Sequence, residues 1–548
     1  MPVISLDVKE LERLVGVDIN SIIEKLPMIG CSIERITDET VDVEFFPNRP
    51  DLYSIEGVAR ALRGFLDIEK GYKDYNVVKG NWKIYVDPSV KDVRPRIAGC
   101  VVKNIKLTDE VIKSLIELQE DLHWTIGRNR RKMAIGLHDF DKFRFPLRYT
   151  AVDGSFSFVP LDFSKEMTVR EILDSHPKGL EFGFILEGKT KYPMIIDSDG
   201  DAISFPPIIN AEKTRITEDT RNIFIDVTGF DENVDRALNI LATMLADRGG
   251  VIESVDIVYQ DRKITTPDLS PKIMKIRKNE VFSLLGFEMD DKEIKTSLER
   301  MRFGVKIMNN EIEVKIPPYR ADIMHEWDII EDIAIGYGYD RIEPRYPRTN
   351  TIGESHIWND LKDIVREIMI GLGFLEVITF TLTNEKIQYK FMNREGKPWD
   401  DYVPVMHPLT EEHTIIRTDL LPKLLELLSL NKHYPMPQRI FEIGDVVVGL
   451  KNELKLCACI THAKANFAEI RSVIQSLMKE LNLEWDVSES ADNAFIKGRR
   501  ADIIVKGKNV GVFGEIHPEV LERFKLSNPV VAFEINLTKI FDLEKKII

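Results

Sequence analysis

Apolar positions recur along this chain with two periods, 3.6 and 2, and the switches between them divide it into four segments. Residues 1–73 end in "FFPNRPDLYSIEGVARALRGFL". This reads as a strand, a turn at Asn48 to Asp51, and a helix with Val58, Ala59, Leu62 and Leu66 on one stripe, capped by Ser54 or Asp51. Residues 74–262 mix short alternating strands with a few helices. They close on "DENVDRALNILATMLADRGGVIESVDIVY", an amphipathic helix, a stop at Gly249-Gly250 and an alternating strand. Residues 263–346 predict a short helix at "NEVFSLLG" and a longer one at "DDKEIKTSLERM" capped by Asp290 or Asp291. A hairpin turning at Asn309-Asn310 and an acidic helix follow. Two helices, a two-stranded wing and a further helix are the parts of a winged-helix-like module. Pro344 and Pro347 mark the next boundary. Residues 347–548 begin with a helix, "IWNDLKDIVREIMIGLG", and a strand, "LEVITFTLT". Further helices and the strands "RIFEIGDVVVG", "KLCACITHA" and "VVAFEINL" complete an antiparallel sheet packed with helices.

Composition narrows the class. At 548 residues the chain is too long for one core. It is 43% hydrophobic and 30% charged, as soluble globular proteins are. No apolar run reaches the length of a membrane helix, and charges interrupt the first residues too early for a signal peptide. Four cysteines, Cys31, Cys100, Cys457 and Cys459, are too few for a disulfide framework and fit a reducing cytoplasm. The net charge of −15 argues against a surface that grips nucleic acid all over. The local basic clusters "GRNRRKMA" and "IKGRRADI" read as solvated faces when each is taken alone.

Three motifs invite over-reading. "GFILEGKT", Gly183 to Thr190, has the letters of a phosphate loop, but a strand-like run with Pro193 follows where a helix N-terminus is required. "GYGYDR" at Gly336 lacks a third glycine and follows a helix, so a helix end with a turn is the better reading. Cys457 and Cys459 share one face of a strand, but without a second ligand pair they read as buried core. His138, flanked by Asp139 and Asp141, is the histidine worth keeping.

The acidic helix raises a real question. Asp328, Glu331 and Asp332 fall at i, i+3 and i+4, so three carboxylates share a face, and Asp322 approaches from the loop before them. Carboxylates at a helix start can simply complement its dipole. Asp332 is already in the second turn, however, and four oxygen donors without His or Cys also suit a hard cation such as Mg²⁺.

From "FPNRPDLYSIEGVARAL" onward the sequence resembles the phenylalanyl-tRNA synthetase β-subunit family. "PPYRADIMHEWDIIEDIAIGYGYDRI" resembles its winged-helix-like module. "HPLTEEHTIIRTDLLPKLLELLSLNKHYPMPQRIFEIGDVV" and "KGRRADIIVKGKNVGVFGEIHPEVL" resemble its catalytic-like domain. "AISFPPIINAEKT" with "NIFIDVTGF" resembles the editing domain of the archaeal and eukaryotic branch. The fold implied is multidomain α+β: a mixed α/β editing domain, the winged-helix-like module, and a class II synthetase-like antiparallel sheet with flanking helices. No segment reads as an inserted OB-fold or a C-terminal RRM-like domain, which matches the shorter archaeal type.

The resemblance implies a cytoplasmic partner of a catalytic α subunit in an α₂β₂ tetramer that charges tRNA(Phe) with phenylalanine, using ATP. It implies an editing pocket at Ser204, Asp226 and Thr228, with Ile195 as an apolar wall and Asn210 and His138 as neighbours. It also implies a magnesium site shared with the α subunit at Asp322, Asp328, Glu331 and Asp332, which match the family spacing D-x5-D-x2-E-D. Arg439 and Glu442 in "QRIFEIG" are laid out like a class II motif, but no Gly-rich, Arg-ending ATP motif follows, so the last domain reads as catalytic-like without activity. Two other readings stay open: a scaffold and tRNA-binding subunit with a dead pocket, and a free-standing trans-editing hydrolase.

Overall fold

The computed structural model describes residues 2–349, 351–394 and 402–541 of a multidomain α+β chain. They fall into two units, Met1–Tyr346 and Pro347–Ile548. Among the described residues no helix is long and apolar enough to cross a membrane.

The first unit contains three main sheets. Val3–Asp7, Thr40–Phe45 and Cys31–Ile36 form a small antiparallel sheet under the helix Ile55–Phe65, whose cap is Ser54, accepting from the Gly57 N–H. Asp51 does not cap. Its carboxylate takes a bidentate pair from Arg49 at 2.8 and 2.9 Å.

The largest sheet has ten strands and positions the site. Nine run in the spatial order Ile209–Asn210, Ala202–Phe205, Tyr192–Ile196, Leu147–Val152, Val77–Val86, Val251–Val258, Arg96–Lys103, Ile223–Gly229 and Met133–Asp139. Only Val77–Val86 runs parallel to its neighbours. The two ends of this path approach each other, because the Asn210 side-chain amide donates to the Leu137 carbonyl at 3.3 Å. Strand Ile223–Gly229 lies one place from the end and is buried on both faces. Ile223, Ile225 and Val227 pack with the helices Asp109–Trp124 and Asn233–Asp247. The alternate face carries Phe224, in a second core with Tyr149 and Ile195, and then Asp226 and Thr228. Two polar side chains therefore point inward from a fully buried strand.

Residues 272–337 form the third layer. The strands Gly304–Ile307 and Glu311–Ile316 make the hairpin expected at Asn309-Asn310, and Lys272–Arg277 adds a third strand that periodicity missed. Asp290 caps Asp291–Arg300 in a reciprocal box with Glu293. Gly336 lies inside the acidic helix Glu326–Tyr337, and Gly338 ends it with φ 104°. A Cβ on Gly336 would lie 2.1 Å from the Ser297 carbonyl oxygen, so glycine allows two helices to touch. "GFILEGKT" runs through a short 3-10 helix towards the strand Tyr192–Ile196, with no phosphate-loop geometry.

The second unit is a seven-stranded sheet, antiparallel except where Leu375–Glu376 runs alongside Gln438–Val448. Along Lys451–Thr461, Leu456, Ala458 and Ile460 face the helices Ile357–Gly371 and Phe467–Glu480. Cys457 and Cys459 face the helix Leu421–Leu430 on the other side. Both cysteines are core. "LEVITFTLT" is not one strand. It forms two-residue strands at Leu375–Glu376 and Leu382–Thr383, belonging to different sheets. Between them Ile378 and Phe380 are 91% and 76% exposed, so this alternation does not bury a face within the chain.

Candidate active site

A cavity of about 370 Å³ opens where the two ends of the ten-stranded sheet meet. Residues 134–137 of the last strand and 204–211 around the first strands form opposite walls. Ile112, Leu115, Ile116 and Gln119 of one helix cover it. Most of this lining is apolar. Ser204, Asn210 and Asp226 are the polar residues expected there that line it.

Asp226 is 1% exposed. A buried carboxylate without a partner is costly, and His138 supplies the partner. His138 Nε2 lies 2.8 Å from Asp226 Oδ2, and Nδ1 lies 2.8 Å from the Thr214 hydroxyl. That hydroxyl donates to the Ala211 carbonyl at 3.2 Å, so it accepts from Nδ1–H. The ring orientation is thereby set, and one proton remains between Nε2 and Oδ2. Among the described residues Asp226 Oδ1 accepts no hydrogen bond. Ser204 donates to Asn210 Oδ1 at 3.0 Å, which ties the two walls together with the Asn210–Leu137 bond.

Gly136 makes this pair possible. A Cβ there would stand 2.1 Å from Asp226 Oδ2 and 2.7 Å from His138 Nε2, so the carboxylate lies across the bare α-carbon. Sequence reasoning passed over Gly136, because nothing local distinguishes it from any glycine in a strand.

Two expected residues stand elsewhere. Thr228 is fully buried but does not line the cavity; its hydroxyl accepts from Arg94 Nε at 3.0 Å and its carbonyl from Arg94 Nη2 at 2.9 Å. Burial pushes the Arg94 guanidinium down to about 10. Ile195 pairs with Ser204 across the strands, yet its side chain belongs to the core behind, with Phe224 and Tyr149. Strand spacing put Thr228 on the right face, but two residues are about one cavity-width along a strand.

The basic cluster "GRNRRKMA" divides. Arg128, Asn129 and Arg130 take three successive left-handed conformations, φ 48°, 53° and 63°. This turn leaves Arg128 outside and carries Arg130 inward. Arg130 lines the cavity, donating to the Pro207 and Ile208 carbonyls and to Glu120. It is not a solvated face.

The four carboxylates of the acidic motif are not gathered around one point in this chain. Arg320 takes the place a cation would have: it donates to both oxygens of Asp322, at 2.9 and 2.6 Å, and to Asp332 at 2.5 Å. Burial pushes Asp332 up to about 6 against the pull of Arg320. Asp328 caps its helix, both bonds, from the Met324 and His325 N–H groups, falling on Oδ2. Glu331 is exposed. Among the described residues no group of three or more His, Cys, Asp or Glu side chains is placed to hold a metal.

Comparison with known proteins gives three family matches. Residues 94–248 match the B3/4 domain, 274–339 the tRNA synthetase B5 domain, and 342–537 the phenylalanyl tRNA synthetase beta chain CLM domain. The chain is 67% identical over 542 residues to the phenylalanine–tRNA ligase beta subunit of Archaeoglobus fulgidus, covering 99% of each. It is 40% identical over 557 residues to the protein of that name from Pyrococcus horikoshii, covering 99% of this chain and 100% of the other. The crystal structure of an N-terminal fragment of the Pyrococcus horikoshii phenylalanyl-tRNA synthetase beta subunit superimposes with a TM-score of 0.60 and 42% identity. That match covers 61% of this chain and 99% of the fragment.

The Gly136 contact is testable by a double-mutant cycle. Gly136→Ala should lower stability by about 1–3 kcal/mol through overpacking. In an Asp226→Ala background the same change should cost less, because only the 2.7 Å approach to His138 Nε2 remains, and equal costs in both backgrounds would show that the carboxylate does not lie over Gly136.

Proposed function

The chain belongs to the phenylalanine–tRNA ligase beta-subunit family of aminoacyl-tRNA synthetases, and on that premise we propose that it assembles with a catalytic α subunit and hydrolyses tyrosine wrongly attached to tRNA(Phe). The observation that carries the hydrolytic half is the buried Asp226 carboxylate in a largely apolar cavity. A site built for phenylalanine cannot strongly reject tyrosine, which only adds a hydroxyl. This cavity selects in the opposite sense. Asp226 Oδ1 offers an acceptor that a tyrosine hydroxyl satisfies, beside the mutually bonded Ser204 and Asn210. A phenylalanine ring leaves that oxygen unpaired, at about 1–3 kcal/mol.

The remaining residues support that selection and not a covalent step. Ser204 donates to an amide and has no base beside it, and no cysteine lines the cavity. Water is therefore the nucleophile in this reading. Its oxygen bonds to the ester carbon, and the ribose oxygen of the tRNA leaves as a hydroxyl, with the neighbouring ribose hydroxyl assisting. His138 holds Asp226 in place from behind.

The second unit supports a role in assembly. Ile378 and Phe380, with Leu375 before them and Ile364 and Ile370 on the helix Ile357–Gly371, present apolar surface to solvent. An α subunit in an α₂β₂ ligase is the partner we assign to it. Among the described residues of the second unit, the two class II-like side chains do not converge. Arg439 pairs with Glu469, and Glu442 three residues on takes Arg417 and Thr379, so the two point to opposite sides of their strand. ATP and phenylalanine are then substrates of the partner. This favours a subunit over a free-standing hydrolase.

Magnesium fits this chain as half a site. Mg²⁺ keeps several waters and takes one or two carboxylates. Asp328, with both capping bonds on one oxygen, and exposed Glu331 at i+3 are the donors available, while Asp322 and Asp332 stay with Arg320. The other ligands would come from the α subunit.

Three measurements test these readings. Asp226→Ala, in the assembled enzyme, should slow tyrosyl-tRNA(Phe) hydrolysis by roughly two orders of magnitude or more. Unchanged hydrolysis would remove the pocket assignment, and no hydrolysis by the wild type would leave a scaffold. Phe380→Glu combined with Ile378→Glu should abolish co-purification with the α subunit, while the variant chain keeps its melting temperature. Calorimetric titration should find Mg²⁺ bound by the complex and not by this chain alone, and Glu331→Gln should weaken it. Stoichiometric binding to the lone chain would contradict the half-site.

A further inference from the structure

The cavity wall that carries Ser204 and Asn210 is a very short hairpin, in which Ser204 lies opposite Asn210 and Phe205 opposite Ile209. So small a ladder holds itself weakly, and Pro206 and Pro207 at its turn have no N–H to add. Within the turn the Ile208 N–H reaches the Phe205 carbonyl at 2.8 Å. The other grip on the turn is Arg130. Its Nη1 donates to the Pro207 carbonyl at 3.2 Å and to the Ile208 carbonyl at 3.0 Å, from a buried side chain. Its Nη2 is anchored on Glu120 Oε1 at 2.7 Å, and the guanidinium carbon lies 4.1 Å from the centre of the Phe182 ring. Two helices and a hairpin thus meet on one planar, fork-shaped cation.

Arg130 is itself held. Its N–H donates to the His123 carbonyl at 3.1 Å, and its carbonyl accepts from Arg94 Nη2 at 3.3 Å. Arg94, 1% exposed, donates to both the hydroxyl and the carbonyl of Thr228, two residues beyond Asp226 on the buried strand. A continuous series of hydrogen bonds therefore runs from the Asp226 strand through Arg94 and Arg130 to the turn between Ser204 and Asn210. Its two ends belong to opposite sides of the cavity, because Asp226 pairs with Gly136 on the facing wall. A choice between tyrosine and phenylalanine needs these sides at a fixed separation. A shift of about 1 Å is enough to remove a hydrogen bond to a phenol.

We propose that Arg130 is a positioning residue that sets the separation of Asp226 from the Ser204–Asn210 hairpin, and with it the preference for a phenol over a plain ring, and that Arg94 and Thr228 support it. This role rests on the editing reading for the reaction that it tunes. Thr228, whose side chain does not line the cavity, influences the reaction through the same bonds. Arg130 acts through the wall and takes no part in breaking the ester.

The test compares hydrolysis of tyrosyl-tRNA(Phe) and phenylalanyl-tRNA(Phe) by the enzyme assembled with its α subunit. Arg130→Lys keeps the charge but cannot reach two carbonyls and Glu120 in a fork. It should lower the ratio of kcat/KM for the tyrosyl over the phenylalanyl ester about tenfold, the weight of one hydrogen bond, with phenylalanine charging unchanged. Thr228→Val, which removes the acceptor of Arg94 Nε, should lower the ratio in the same direction, and Thr228→Ser should retain it. Combining Arg130→Lys with Thr228→Val should lower it no further than Arg130→Lys alone, because both break one series of bonds. Should Arg130→Lys not assemble, the Thr228→Val and Thr228→Ser pair decides by the same ratio. A wild-type ratio in Arg130→Lys, or equal losses on both esters, would overturn the proposal and leave editing intact. Effects that multiply in the double variant would overturn the supporting part of Arg94 and Thr228. A wild type that hydrolyses neither ester would overturn editing and this role together.

Discussion

The site depends on one buried carboxylate being kept in place inside a sheet whose ends close on each other. Asp226 cannot sit at 1% exposure unless something answers its charge and its lone pairs. His138 answers one oxygen, Thr214 holds His138, and Gly136 leaves the space in which the two meet. Gly136 and His138 share the strand Met133–Asp139, while Thr214 and Asp226 come from distant parts of the chain. The sheet must bring its last strand beside Asp226, and its first strands round to Leu137, before the cavity has walls. Among the described residues the other oxygen of Asp226 accepts no hydrogen bond, and Asp226 lines the cavity.

The acidic motif shows the alternative outcome for the same chemistry. Asp332 is also buried and Asp322 half-buried, but a guanidinium meets them both, in a fork geometry that imidazole cannot offer. Their charge is satisfied within the chain, so they serve packing. Asp328, half-buried, and Glu331, exposed, are only four and one residues away from Asp332 and keep donor capacity. Helical spacing groups Asp328, Glu331 and Asp332 on one stripe, and Arg320 draws Asp332 away to share its guanidinium with Asp322 from the loop.

The cavity has two chemically different ends because two kinds of element build it. The strands supply short, rigid side chains at Ser204 and Asp226, which suit a small hydroxyl. The loops and short helices around Phe163 and His176 supply aromatic rings and the cations Lys178 and Arg215. The apolar strip at Ile378 and Phe380, in the other unit, is a separate matter and concerns assembly.

What the sequence determined by itself was local. The Ser54 and Asp290 caps, the hairpin at Asn309-Asn310, the helix stop after Tyr337 and the buried cysteines follow from contacts within a few residues, and the structure reproduces them. Resemblance added Asp226, Ser204, Asn210 and His138, all of which meet at or behind the cavity. The tertiary structure alone decided the rest. It moved Thr228 to Arg94 and Ile195 into the core, drew Arg130 inward and gave Gly136 its purpose. The reason is distance along the chain. His138 and Asp226 are 88 residues apart and Arg94 and Thr228 are 134 apart, and no periodicity of 2 or 3.6 carries information that far.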